Sequence, residues 1–139
     1  MAATIDVALI LWNTDVIHLV SLFLRDRNLT SKGMEPSNGV HKVEEMIGCF
    51  SPSVVVFDLY PPYSKSTTVL MYLQTRFPAS EFVITCADPM LVLKAAPWLT
   101  CCPMFQKPYE MSTLSDTVNS MVRSDWSFSN RKTGTGLRT

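Results

Sequence analysis

Short apolar runs rich in β-branched residues alternate along the chain with longer segments in which apolar residues return every three or four positions. That alternation is the pattern of βα units feeding a parallel sheet. The first run, Val7 to Trp12, predicts a strand. Thr14 or Asp15 can cap the segment after it, where Ile17, Val20 and Leu24 form an apolar stripe and His18, Ser21 and Arg25 a polar one, a helix to about Arg27. Leu29 to Met34 is the only material for a second strand, and the nearby Gly33 and Pro36 make it a short, irregular edge strand. Val40, Val43, Ile47 and Phe50 recur at helical spacing before Pro52 marks a stop. Val54-Val55-Val56-Phe57 is apolar at every position, as expected of a central strand covered by helices on both faces, and it ends abruptly at Asp58.

After Pro61-Pro62, the positions Val69, Leu70, Leu73 and Phe77 mark a third helix, closed by Pro78. Phe82 to Thr85 predicts the fourth strand. Asp88, a capping residue, with Pro89 in the first turn, starts a fourth helix toward Trp98 unless Pro97 ends it sooner. Cys101 to Phe105 predicts a short fifth strand, and Leu114, Val118, Met121 and Val122, with Ser112 as cap, a last helix. Residues 5–123 therefore form one doubly wound α/β domain. Residues 124–139, rich in Ser, Thr, Gly, Arg and Lys apart from Trp126 and Phe128, are expected to be a flexible C-terminal tail that the fold does not need.

Composition narrows the function classes. The chain has 139 residues, enough for one domain with a real core and no need of disulfides or a structural metal. It is 47% hydrophobic yet has no uninterrupted apolar stretch long enough to span a bilayer, and Val7 to Trp12 has neither the basic flank nor the cleavage site of a signal peptide. A cytoplasmic location is expected. Twelve basic and twelve acidic residues balance, and no window concentrates lysine and arginine, which argues against nucleic-acid binding by this domain. Cys49, Cys86, Cys101 and Cys102 lack metal-ligand spacing and are expected to be small core residues.

In an open parallel sheet, ligands sit beyond the carboxyl ends of the strands, and Asp58, Thr85 and Lys107 each directly follow an apolar run. A carboxylate, a hydroxyl and an ammonium in one crevice suit an acyl-phosphate site. Three stretches carry a resemblance: Val54 to Pro62 around Asp58, Phe82-Val83-Ile84-Thr85, and Phe105-Gln106-Lys107-Pro108-Tyr109. Together they resemble the receiver domain of bacterial response regulators over about residues 5 to 123. The resemblance implies a flavodoxin-like five-stranded sheet of order 2-1-3-4-5 with helices on both faces. It also implies Asp58 as phosphoacceptor, Thr85 and Lys107 as switch and phosphate-contacting residues, and the backbone carbonyl of Tyr60 as a magnesium ligand.

The departures are specific. Receivers place an acidic pair after the first strand to hold magnesium, and the matching positions here are Trp12 and Asn13. With Asp58 as the only evident anionic ligand, magnesium is expected to bind weakly or not at all. Trp12 should stand at the mouth of the crevice. Cys86 stands where the family favours a very small residue, and Met104 where it favours a switch aromatic. Asp58 is left facing Lys107 without carboxylate neighbours, so Asp58→Asn is expected to change stability little, or to raise it slightly if Lys107 does not pair with the carboxylate.

The resemblance thus implies a signalling module of the two-component type and not an enzyme. It implies a sensor histidine kinase or other signalling protein as partner, and a partner surface near the fourth and fifth helices; a homodimer stays open. The substituted metal positions point to a pseudo-receiver that switches partners with little or no phosphorylation. The alternatives are a fully phosphorylatable receiver and a small flavodoxin-like enzyme or redox protein. Against the last stand the missing Gly-rich phosphate loop and the placement of His18 and His41 on predicted helices.

Overall fold

A computed structural model describes residues 4–123; the tail expected over residues 124–139 lies outside the described residues. Five strands, β1 (Val7–Ile10), β2 (Ser31–Met34), β3 (Val54–Asp58), β4 (Glu81–Cys86) and β5 (Met104–Gln106), pair in parallel in the order β2-β1-β3-β4-β5. Four α-helices connect them, α1 (Thr14–Asp26), α2 (Val40–Phe50), α3 (Tyr63–Arg76) and α4 (Pro89–Ala95), and α5 (Met111–Arg123) follows the last strand. The architecture is the doubly wound, flavodoxin-like sheet expected from the sequence.

The strands build two cores because successive side chains point to opposite faces. Val7, Leu9, Val54, Val56 and Val83 meet Ile17, Val20 and Leu24 of α1 and Leu114, Val118 and Met121 of α5. Ala8, Ile10, Val55, Phe57, Phe82 and Ile84 face the other way, onto Val43 and Ile47 of α2, Leu70 and Leu73 of α3, and Val92 of α4. β1 and β3 are buried at every position, which explains their unbroken hydrophobicity. β2 is the half-covered edge strand. Its Gly33 is required by a close approach, since a Cβ there would collide with Cγ2 of Ile17 on α1.

Several boundaries differ from the sequence reading. β1 stops at Ile10 and not at Trp12, because the Trp12 N–H turns away from strand pairing toward the Asp58 carboxylate. The cap of α1 is Asn13 and not Thr14 or Asp15: its Oδ1 accepts hydrogen bonds from the N–H groups of Asp15 (2.8 Å) and Val16 (3.2 Å). Pro97 starts a 3₁₀ turn that takes in Cys101, so β5 begins only at Met104. Ser112 lies inside α5, which opens at Met111. The four cysteines are not uniformly core residues: Cys86 is buried and Cys102 half-buried, whereas Cys49 and Cys101 are exposed. Among the described residues no helix is long and apolar enough to cross a membrane.

Candidate functional site

β3 ends in Asp58, and the parallel register sets Thr85 of β4 directly opposite it. One strand further, Gln106 of β5 pairs with Cys86, and the next residue, Lys107, donates its N–H to the Cys86 carbonyl at 2.8 Å. Sheet pairing thus carries three polar side chains, separated by many residues in sequence, to the same end of three adjacent strands. Thr85 is fully buried and Asp58 is only 5% exposed.

The carboxylate of Asp58 is engaged on both oxygens. Oδ1 accepts a hydrogen bond from the Thr85 hydroxyl at 2.8 Å and pairs with the Lys107 ammonium at 2.6 Å. Oδ2 accepts from the backbone N–H of Trp12 at 3.2 Å. A nearly buried carboxylate needs such partners, because an isolated ion removed from water is strongly destabilising. Lys107 reaches the pair from the solvent side, its side chain 27% exposed. Burial by itself pulls the ammonium pKa down, but hydrogen bonding to Asp58 and Tyr60 and the negative charge of Asp58 outweigh it and hold the group above its ordinary value.

Aromatic rings frame this ion pair. The Lys107 ammonium lies 4.0 Å from the centroid of the Tyr60 ring, a cation–π contact, and Tyr60 meets the Trp12 ring edge-on with centroids 5.3 Å apart. Tyr109 packs edge-on against Phe105, and burial, followed by the negative charge of Asp58, pushes its phenol up to about 12. Cys86 is buried with Ile84, Val92 and Ala96, and desolvation raises its thiol, so it is held protonated. Met104 is half-buried at the start of β5.

The residues singled out in sequence therefore part into two groups. Asp58, Thr85 and Lys107 come together. Trp12 reaches Asp58 with its backbone and stands at the crevice mouth, 37% exposed, while the Asn13 side chain is committed to the α1 cap. Sequence reasoning considered Tyr60 only for its carbonyl and missed its ring, which bridges Trp12 and Lys107. Two aromatic residues flanking the strand ends that carry the site were the available signal.

Several solved structures share this architecture at low sequence identity. The receiver domain of nitrogen regulatory protein C superposes with a TM-score of 0.67 at 16% identity, covering 85% of this chain and 94% of that one. A CheY-like response regulator receiver domain protein from Methanospirillum hungatei gives 0.69 at 10% identity, covering 86% and 94%. An orphan response regulator of H. pylori gives 0.65 at 11% identity, covering 88% of this chain and all of that one. The chain has the receiver-domain fold. No protein-family model matches its sequence, and no curated protein is significantly similar to it.

Receiver domains hold magnesium beside the phosphoacceptor with acidic residues that follow the first strand. Around Asp58, Trp12 offers an indole with no oxygen ligand, the Asn13 oxygen accepts two backbone hydrogen bonds, and the Asp58 carboxylate is engaged by an ammonium, a hydroxyl and an N–H. Among the described residues no group of three or more His, Cys, Asp or Glu side chains converges as a metal site.

Proposed function

We propose that this chain is a two-component-type signalling module in which the phosphoacceptor position is held closed by its own lysine. It would act as a cytoplasmic protein-interaction switch with weak or no phosphorylation, not as an enzyme. The observation that carries this reading is the Asp58 carboxylate, engaged on both oxygens, with no group of three or more His, Cys, Asp or Glu side chains converging as a metal site among the described residues. Phosphoryl transfer to a carboxylate needs cations that neutralise charge spreading over the phosphoryl oxygens. Lys107 supplies one such cation, and it is already spent on Asp58 itself. In this reading Thr85 and Lys107 couple Asp58 to the far edge of the sheet. There the exposed Met90, Leu91 and Trp98 of α4 and the turn after it offer a surface to a histidine kinase or another signalling protein.

One observation favours the alternative of a phosphorylatable receiver: carboxylate, hydroxyl and ammonium converge as an acyl-phosphate site requires. Incubation with magnesium and acetyl phosphate, followed by intact-mass spectrometry at matched times, separates the two. The unaltered protein is expected to remain mostly unmodified, and Trp12→Asp with Asn13→Asp to restore magnesium binding and some phosphorylation at Asp58. Stoichiometric phosphorylation of the unaltered protein, abolished in Asp58→Asn, would overturn the proposal.

A further inference from the structure

Beside Asp58, between the N-terminal ends of α2 and α3, lies a cavity of about 550 Å³. That volume falls within the range of pockets that enclose small organic ligands. Its walls include Val40, Val43, Phe57 and Val69, and Trp12 and Tyr60 stand at its rim. Trp12, Val40 and Tyr60 are each more than one third exposed, so the cavity turns a continuous aromatic and aliphatic surface to water. Ser66 also lines it, and its Oγ is buried without a hydrogen-bond partner. The walls are held in place from outside: the Glu44 carboxylate on α2 accepts from the Tyr72 hydroxyl at 2.9 Å and pairs with Arg76 at 3.1 Å, both on α3.

We propose that this cavity binds a small, flat aromatic molecule. Flatness and aromaticity follow from the edge-on Trp12–Tyr60 pair, which leaves ring surface to stack on. The lining holds the Asp58 carboxylate, already paired with Lys107, and the exposed Lys65. The position that in receivers supplies an acidic metal ligand thus supplies here an aromatic wall. Because Tyr60 also contacts Lys107, an occupant stacked on Tyr60 touches the same ring that covers the ion pair. The inference goes beyond the phosphorylation reading, since binding is measured whether or not Asp58 accepts a phosphoryl group.

Titration of the full chain with 2-naphthol, followed by amide chemical shifts, tests it. Saturable shifts confined to the Trp12–Asn13 segment, the end of β3 and the N-terminal turns of α2 and α3 are expected, with a dissociation constant on the order of 1 mM or tighter. Inorganic phosphate at equal concentration should leave them unchanged. Val40→Trp, which fills the cavity from a partly exposed helix position, should weaken binding about tenfold or more. Thr68→Trp, exposed on α3, repeats the test should Val40→Trp fail to fold by thermal unfolding. Absence of saturation, shifts spread over α4 and α5, displacement by phosphate, or unchanged affinity in the folded filled variants would overturn the proposal. So would concentration-dependent self-association through the same segments that naphthol does not reverse, which would assign the cavity to a second copy of the chain.

Discussion

Replacing Lys107 by Met keeps the side chain's length and apolar stem but removes the cation from Asp58. The carboxylate retains the Thr85 hydroxyl and the Trp12 N–H, yet it is 5% exposed and loses its only ion-pair partner among the described residues. Breaking a fully buried pair costs about 3–5 kcal/mol, whereas exposed pairs are worth about 0–1 kcal/mol. Lys107 lies between these limits at 27% side-chain exposure, which places the expected loss at about 2 kcal/mol. The converse change, Asp58→Asn, leaves behind a lysine that can swing into water, so its cost should be smaller, about 1 kcal/mol. The pairing of Lys107 removes the case in which Asp58→Asn would stabilise the protein, and the sequence-based expectation is corrected to a modest loss. Urea unfolding at neutral pH of the two single variants and the double variant closes a mutant cycle. The Asp58→Asn change is expected to recover part of the Lys107→Met loss. A Lys107→Met variant within about 0.5 kcal/mol of the parent, the scatter of ordinary surface changes, would refute the reasoning. So would an Asp58→Asn loss larger than that of Lys107→Met.

Two further outcomes follow from the same site. Lys107 and Tyr109 both hold their protons more tightly in the folded chain than unfolded, where their ordinary values are 10.5 and 10.0. Their contribution is therefore complete below about pH 10 and is lost as pH rises through the folded values. Unfolding free energy should fall above pH 10, less steeply in Tyr109→Phe, and an ultraviolet titration of that variant should lack the tyrosine ionising near 12. Asn13→Ala should cost about 1 kcal/mol in urea unfolding by uncapping α1, while Asn13→Asp should cost little, since aspartate caps equally well.

The periods of the hydrophobic pattern were sufficient to identify the elements and the layered architecture. The unbroken runs at Val54 to Phe57 and at the start of β1 record burial on both faces. The apolar stripes of α1, α2 and α5 record which side of each helix meets the sheet. Asp88-Pro89 marked the start of α4 correctly, because a cap and a first-turn proline act within one helical turn. Asn13 escaped notice for a related reason: Asn, Thr and Asp stand in succession and all can cap, so only the geometry of the turn after β1 chooses among them. Asp58, Thr85 and Lys107 were legible as strand-end residues. Their mutual distances, the burial of the carboxylate and the closure of its second oxygen by a backbone N–H 46 positions away were not. Nor was the cavity, built from the turn after β1, the start of α2, the end of β3 and the start of α3. Local sequence sets backbone periodicity through interactions a few residues long, whereas these contacts exist only once strand register and helix packing have brought remote segments together.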